Sequence, residues 1–202
     1  MIGLINYGIG NIRSVANALT WIQADFEVAT DASESSHYDH LILPGVGAFA
    51  SCASMLSSSG FDKVVLEHAG RGKPLLGICV GMQLLADDGT EFGVTAGLGL
   101  VPGTVEQIPR SSDNLRLPHI GWNALQLERE CPLLAGLGDD TAAYFIHSFH
   151  FRPTSSTDVS ATIDYGGPVT AAVSRGAVYG LQFHPEKSQS VGLTILRNFA
   201  KL

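Results

Sequence analysis

Apolar residues fall along this chain in short runs broken by glycine and proline. The first, residues 2–7, stops at Gly8-Ile9-Gly10, and from there Ile12, Val15, Ala16, Leu19 and Ile22 recur at the spacing of one helix face. Asn11 stands where that helix would be capped. Strand, tight turn and helix in this order open a βα unit. Further apolar runs over 26–29, 40–43 and 74–78 are predicted strands, with helical stretches near 49–56 and 61–70 between them. Strands that read as continuous apolar runs are covered on both faces, so this half predicts a mostly parallel sheet flanked by helices.

From about Leu98 the pattern changes. Strands are predicted over 100–108, 120–127, 143–149, 159–164, 169–174 and 177–183, separated by Gly, Pro and Asp turns, and the one clear late helix covers 191–202. Such strands join the main sheet as antiparallel additions or form a small flanking sheet. No repeat and no linker divides the chain. The expected fold is one α/β domain over 1–202, three-layered, with a mostly parallel central sheet, flanking helices and antiparallel additions in the C-terminal half.

Composition narrows the function. With 45% hydrophobic and 15% charged residues the chain is neither disordered nor a coiled coil. A net charge of −7 without any Lys/Arg run argues against nucleic acid and against anionic membranes, since both need a basic face. No apolar run approaches the roughly 18–20 residues of a membrane span, and the N-terminal residues lack the basic region and cleavage site of a signal peptide. Three cysteines, Cys52, Cys79 and Cys131, form neither an even framework nor a CxxC pair. A cytoplasmic protein with reduced thiols is expected, one of them chemical.

That thiol is Cys79. The apolar run 74–78 leads into Gly77-Ile78-Cys79-Val80-Gly81 and then a helical pattern, which is the cysteine form of a nucleophile elbow. Glycines two before and two after let the chain turn sharply and leave the side chain exposed. The sulfur then sits at a helix N-terminus, which favours a thiolate, and the Val80 N–H points to an oxyanion formed on attack. A structural cysteine between packing glycines would read the same way. The second signal is His184-Pro185-Glu186 at the end of the strand 177–183. A thiol nucleophile needs an imidazole to carry its proton, and the imidazole needs an acceptor to fix its tautomer; His and Glu two apart on extended chain point the same way. Leu43-Pro44-Gly45-Val46-Gly47 ends another strand in a turn able to present a backbone N–H to the elbow.

Taken in order, P-G-V-G, G-I-C-V-G-M-Q-L-L and F-H-P-E-K-S resemble the oxyanion strand, nucleophile elbow and His-Glu pair of the triad-type (class I) glutamine amidotransferases. Blocks Y-G-I-G-N with R-S-V (7–11, 13–15), L-P-H-I-G-W-N (117–123), Y-F-I-H-S (144–148) and H-P-E-K-S-Q (184–189) carry the resemblance across nearly the whole chain. It implies that Cys79 attacks the carboxamide of L-glutamine, His184 serves as base and then acid, and Glu186 orients it. Val46, Gly47 and the N–H of Val80 would hold the oxyanion. Gln83 and Glu91 match positions that hold the amino-acid end of the substrate, and a carboxylate at Glu91 suits its ammonium. The backbone of His147, Ser148 and Phe149 is implied to bind the α-carboxylate. The implied partner is a (β/α)8-barrel cyclase subunit that receives ammonia through a channel, with Trp122 and Lys187 at the interface; no cofactor and no metal are implied. Departures are Asn6, where aspartate is usual, Phe149, where tyrosine is common, and Ala86-Asp87-Asp88 in place of a bulkier stretch.

Other readings compete. His147 and His150, three apart on one predicted strand, face opposite sides and make a poor metal pair. Gly8-Ile9-Gly10 lacks the third glycine of a dinucleotide fingerprint, because residue 13 is arginine. A paralogous glutaminase could feed ammonia to another synthase, such as one modifying sugars, and a cysteine-elbow hydrolase, chaperone or regulator would share the elbow. Cys52 and Cys131 read as packing residues.

Overall fold

A computed structural model of the chain describes residues 1–109, 115–138 and 141–202. The first apolar run becomes β1 (Ile2–Ile5), buried throughout, and passes through Gly8 and Gly10, at φ +93° and +132°, into α1 (Ile12–Trp21). Such φ values are the reason glycine stands at both positions. Asn11 occupies the N-cap position of α1 but makes no side-chain capping bond; Asn6 steadies the turn instead, its Oδ1 accepting from the Gly8 N–H at 3.2 Å. The helix buries Val15, Ala18 and Leu19.

Next come β2 (Phe26–Ala29), β3 (His40–Gly45), α2 (Phe49–Ser58), α3 (Phe61–Gly70), β4 (Leu75–Cys79) and the short α4 (Val80–Gln83). Short strands β5 (Asp88–Gly89), β6 (Thr95–Ala96) and β7 (Gly103–Gln107) precede β8 (His119–Ala124) and β9 (Gln126–Leu127). The chain ends with β10 (Ala142–His147), β11 (Phe149–Pro153), β12 (Val159–Asp164), β13 (Pro168–Arg175), β14 (Val178–Leu181) and α5 (Gln189–Phe199).

Eight strands form the main sheet in the order β2-β1-β3-β4-β14-β13-β12-β9. The first five run parallel and the last three antiparallel. Both sequence-based alternatives for the second half therefore occur together. Strands β13, β12 and β9 extend the main sheet, while β11-β7-β5-β6 and β10-β8 make two small sheets of their own. Every residue of β4 is buried, as a strand between β3 and β14 and under helices must be. Register places Gly45 beside Cys79 and Leu181 beside Ile78, so the carboxyl ends of β3, β4 and β14 converge at one edge of the sheet. That edge is where parallel α/β sheets bind ligands.

Three sequence-based boundaries change. The strand expected over 143–149 breaks at Ser148, so His147 ends β10 and His150 lies on β11, in different sheets. The argument that they face opposite sides of one strand does not hold. The strand expected over 120–127 breaks at Leu125, whose N–H is drawn to Thr141 O at 2.8 Å. The last helix starts at Gln189 and ends at Phe199, two residues before and three before the expected limits of 191 and 202. No helix among the described residues is long and apolar enough to cross a membrane.

Candidate active site

Cys79 has φ +56° and ψ −114°, a conformation that a non-glycine residue adopts only when its surroundings enforce it. The flanking glycines show what does so. A Cβ on Gly77 would lie 2.5 Å from Gly81 O, and one on Gly81 would lie 1.9 Å from Leu43 O. A Cβ on Gly45 would come within 2.7 Å of Gly81 N. G-x-C-x-G is thus the only side-chain pattern that lets β3, β4 and α4 close to this separation. The helix expected after the elbow is present and short: α4 has four residues, because the carbonyls of Leu84, Leu85 and Ala86 accept instead from N–H groups of 98–101. A helix this short carries little macrodipole, so the charge near Cys79 is set by its immediate neighbours.

His184 is the principal one. Its Nδ1 pairs with Glu186 Oε1 at 2.9 Å, both side chains buried, and the ring lines the same cavity as Cys79. Burial alone would push the imidazole below its ordinary 6.5, but the hydrogen bonds and negative charges of Cys79 and Glu186 outweigh it and raise it to about 9. The extended geometry expected for His-Pro-Glu is corrected to a tight 3-10 turn over Pro185–Lys187, which folds Glu186 back beneath the ring. Ser188 and Gly192 hold this turn. Ser188 donates to His184 O at 2.7 Å and accepts from the Tyr144 N–H at 3.0 Å, while the His184 N–H donates to Tyr144 O at 3.0 Å. Gly192 lets α5 approach, since a Cβ there would lie 1.7 Å from Pro185 O.

Above the elbow lies a cavity of about 340 Å³ lined by Val46, Gly47, Cys79, Val80, Gln83, Glu91, His147, Ser148, Phe149, His184 and Lys187, together with Pro118 and Ile146. Its size suits a ligand the size of an amino acid. The structure gathers eleven of the thirteen sequence-predicted site residues into its wall. Glu186 sits behind His184, and Trp122 lies outside, on the open face of the β8–β10 pair.

Several of these side chains also hold the wall together. Gln83 donates to Phe149 O at 3.1 Å and to Gln182 Oε1 at 3.0 Å, which leaves its own oxygen as the group with capacity to accept. The Glu91 carboxylate takes the Phe49 N–H at 2.8 Å, at the start of α2. Burial, foremost, together with the charges of neighbouring histidines holds His147 down to about 3 against the bond to Phe149 O. A neutral His147 therefore donates from Nδ1 to Phe149 O at 2.9 Å and accepts at Nε2, 3.2 Å from His119 Nδ1, which must be the donor. Gln182 is the residue that sequence reasoning missed outright. Wholly buried between Leu181 and Phe183, it reaches both Gln83 and the Cys79 sulfur, at 3.9 Å for the latter. An amide in an apolar strand end was its one visible signal.

Trp122 is 48% and Ile120 59% exposed, side by side on β8. The Trp122 ring meets Tyr144 edge-on at 5.9 Å, and Lys187 Nζ lies 5.8 Å above the Tyr144 ring. Among the described residues no group of three or more His, Cys, Asp or Glu is gathered as a metal site.

A sharp cysteine elbow, a His-Glu pair behind it and an amino-acid-sized cavity define a class that the comparisons bear out. The family model for glutamine amidotransferase class-I matches residues 4–202. Among solved structures, one described as a glutamine amidotransferase superposes with a TM-score of 0.77 at 22% identity, covering 100% of this chain and 99% of that one. PurLQS from Thermotoga maritima gives 0.79 at 19%, covering 99% and 97%. At such identities these two speak for the fold. Sequence relatives are nearer. The imidazole glycerol phosphate synthase subunit HisH of Caulobacter vibrioides is 46% identical over 98% of this chain and 96% of its own, and that of Wolinella succinogenes 45% identical over the whole of both. This chain belongs to the class-I glutamine amidotransferases and, within them, to the family of HisH subunits of imidazole glycerol phosphate synthase.

Proposed function

We propose that Cys79, His184 and Glu186 are the triad with which this enzyme hydrolyses L-glutamine, and that it passes the ammonia to a (β/α)8-barrel cyclase subunit. The observation that carries the reading is the buried His184 ring, its Nδ1 held by Glu186 Oε1 at 2.9 Å, in the wall of the same cavity as a strained Cys79. In the cavity, the glutamine ammonium pairs with Glu91 and the Gln83 oxygen, and its carboxylate takes backbone N–H groups of 147–149. Because His184 is held protonated up to about pH 9, the Cys79 proton has already passed to it when the sulfur attacks the carboxamide carbon. The tetrahedral oxyanion is held by the Val80 N–H and the backbone of Val46–Gly47. His184 then gives its proton to the leaving nitrogen, ammonia departs, and a γ-glutamyl thioester remains on Cys79. Water, deprotonated by the same imidazole, releases glutamate.

Ammonia then enters the barrel, where it completes imidazole glycerol phosphate and AICAR in histidine biosynthesis. Trp122, Ile120 and Lys187 form the docking face. We read the chain as one domain over 1–202 acting in the cytoplasm, which its three unpaired cysteines suit. Glutamate release measured for the subunit alone, with its barrel subunit, and with barrel plus nucleotide ligand tests the scheme. Slow release alone and strong stimulation in the complex are expected, because a glutaminase that hands its ammonia to a partner gains nothing from turning over without it. Full activity alone, unchanged by the barrel, would contradict coupling.

A further inference from the structure

We propose that Cys52 and Tyr7 are positioning residues that fix the oxyanion turn from beneath. Cys52 lies on α2, wholly buried and outside the cavity wall, and its Sγ donates to Val46 O at 3.3 Å. A planar trans peptide points its C=O and its N–H in opposite directions. Holding the Val46 oxygen on the α2 side therefore presents the Gly47 N–H on the opposite side of the turn, where Val46 and Gly47 line the cavity. Packing does not do this work, since no atom lies within 4 Å of a Cβ built on Gly47. The next fixed point is the Phe49 N–H on Glu91.

Tyr7 completes the device. Its hydroxyl is buried, has no conventional hydrogen-bond partner, and faces the Cys52 sulfur. It also comes within 3.1 Å of a Cβ placed on Gly45, so it lies directly under the turn. Burial, foremost, pushes the Cys52 thiol up, so it keeps its proton and stays a donor at neutral pH. Beneath the turn the Cys52 S–H donates to the Val46 C=O, and the buried Tyr7 hydroxyl packs beside that thiol and under Gly45.

This inference rests on the proposed oxyanion role of Val46–Gly47. Its test measures kcat and KM for glutamate release by the complex with the barrel subunit, for the wild type, Cys52→Ala, Cys52→Ser and Tyr7→Phe, with Cys79→Ala as control. Because an oxyanion donor acts in the transition state, Cys52→Ala is expected to lower kcat about tenfold with KM little changed. Cys52→Ser keeps a donor to Val46 O and is expected to stay within about twofold of the wild type, with Tyr7→Phe in between. Thermal midpoints of all variants are recorded alongside. The clamp is overturned if Cys52→Ala turns over like the wild type, or if Ala and Ser lose activity equally and in step with stability. Glutamate release surviving in Cys79→Ala would instead remove the site reading, and the clamp with it.

Discussion

His184 shows how one residue ties stability to chemistry. Its folded-state value of about 9 lies above the ordinary 6.5, so between those values the folded protein binds a proton that the unfolded chain releases. The stabilisation is complete below about pH 6.5 and is lost as pH rises through about 9. Glu186→Gln removes one of the groups that raise it. The stability advantage of wild type over this variant, from urea unfolding across the range, is expected to be largest near pH 6 and to shrink toward pH 9 by up to ~1.4 kcal/mol per pH unit. A difference flat with pH would contradict the assignment. His119 offers a second test. Its ring stacks on Tyr165 at 3.9 Å while Nδ1 donates to His147. His119→Phe keeps the stack and deletes the donor, leaving a buried acceptor, so a loss of ~1–3 kcal/mol is expected. KM for glutamine should rise more than kcat falls, because His147 steadies the Phe149 carbonyl at the cavity wall.

At the scale of elements, the site is a meeting of strand ends that glycine alone permits. Gly81→Ala drives a methyl into Leu43 O, and Gly192→Ala drives one into Pro185 O, both rigid backbone. Each is expected to cost ~3 kcal/mol or more by urea unfolding and to depress kcat, since the first displaces the elbow and the second the His-Pro-Glu turn. Gly70→Ala, at the end of α3 with open space around it, is the contrast and should be neutral or stabilising by up to ~1 kcal/mol. The same elements explain what was legible beforehand. Buried parallel strands such as β4 announce themselves as unbroken apolar runs, and β12 was read to the residue. The paired residues of β5 and β6, two in each strand, leave no alternation to read. The break at Ser148 was hidden because the pattern runs on through it, while His147 turns back onto Phe149 O. Likewise Asn11 has the composition of a cap but makes no capping bond, while Asn6 steadies the preceding turn through Gly8.

For the whole molecule, the β8–β10 pair carries an exposed apolar face that the chain's own core does not explain. Ile120 and Trp122 stand open beside Tyr144 and Lys187, close to the cavity mouth. Trp122→Ala is expected to leave the unfolding free energy of the isolated subunit within ~0.5 kcal/mol, yet to weaken binding to the proposed barrel partner by ~2 kcal/mol or more, as an anchoring aromatic does. Isothermal titration reads the second quantity. The proposed triad was legible because its three members sit in short blocks whose spacing the chemistry imposes. Gln182, Ser188 and Cys52 were not, because each acts through a tertiary contact that leaves no local pattern. The central claim is that Cys79 is the nucleophile, and the most direct measurement is mass-spectrometric mapping after treatment with 6-diazo-5-oxonorleucine, a reactive glutamine analogue. A single adduct on Cys79 is expected, suppressed by glutamine and absent in Cys79→Ala, with Cys52 and Cys131 unmodified. An adduct on another residue, or glutamate release that persists without Cys79, would contradict it.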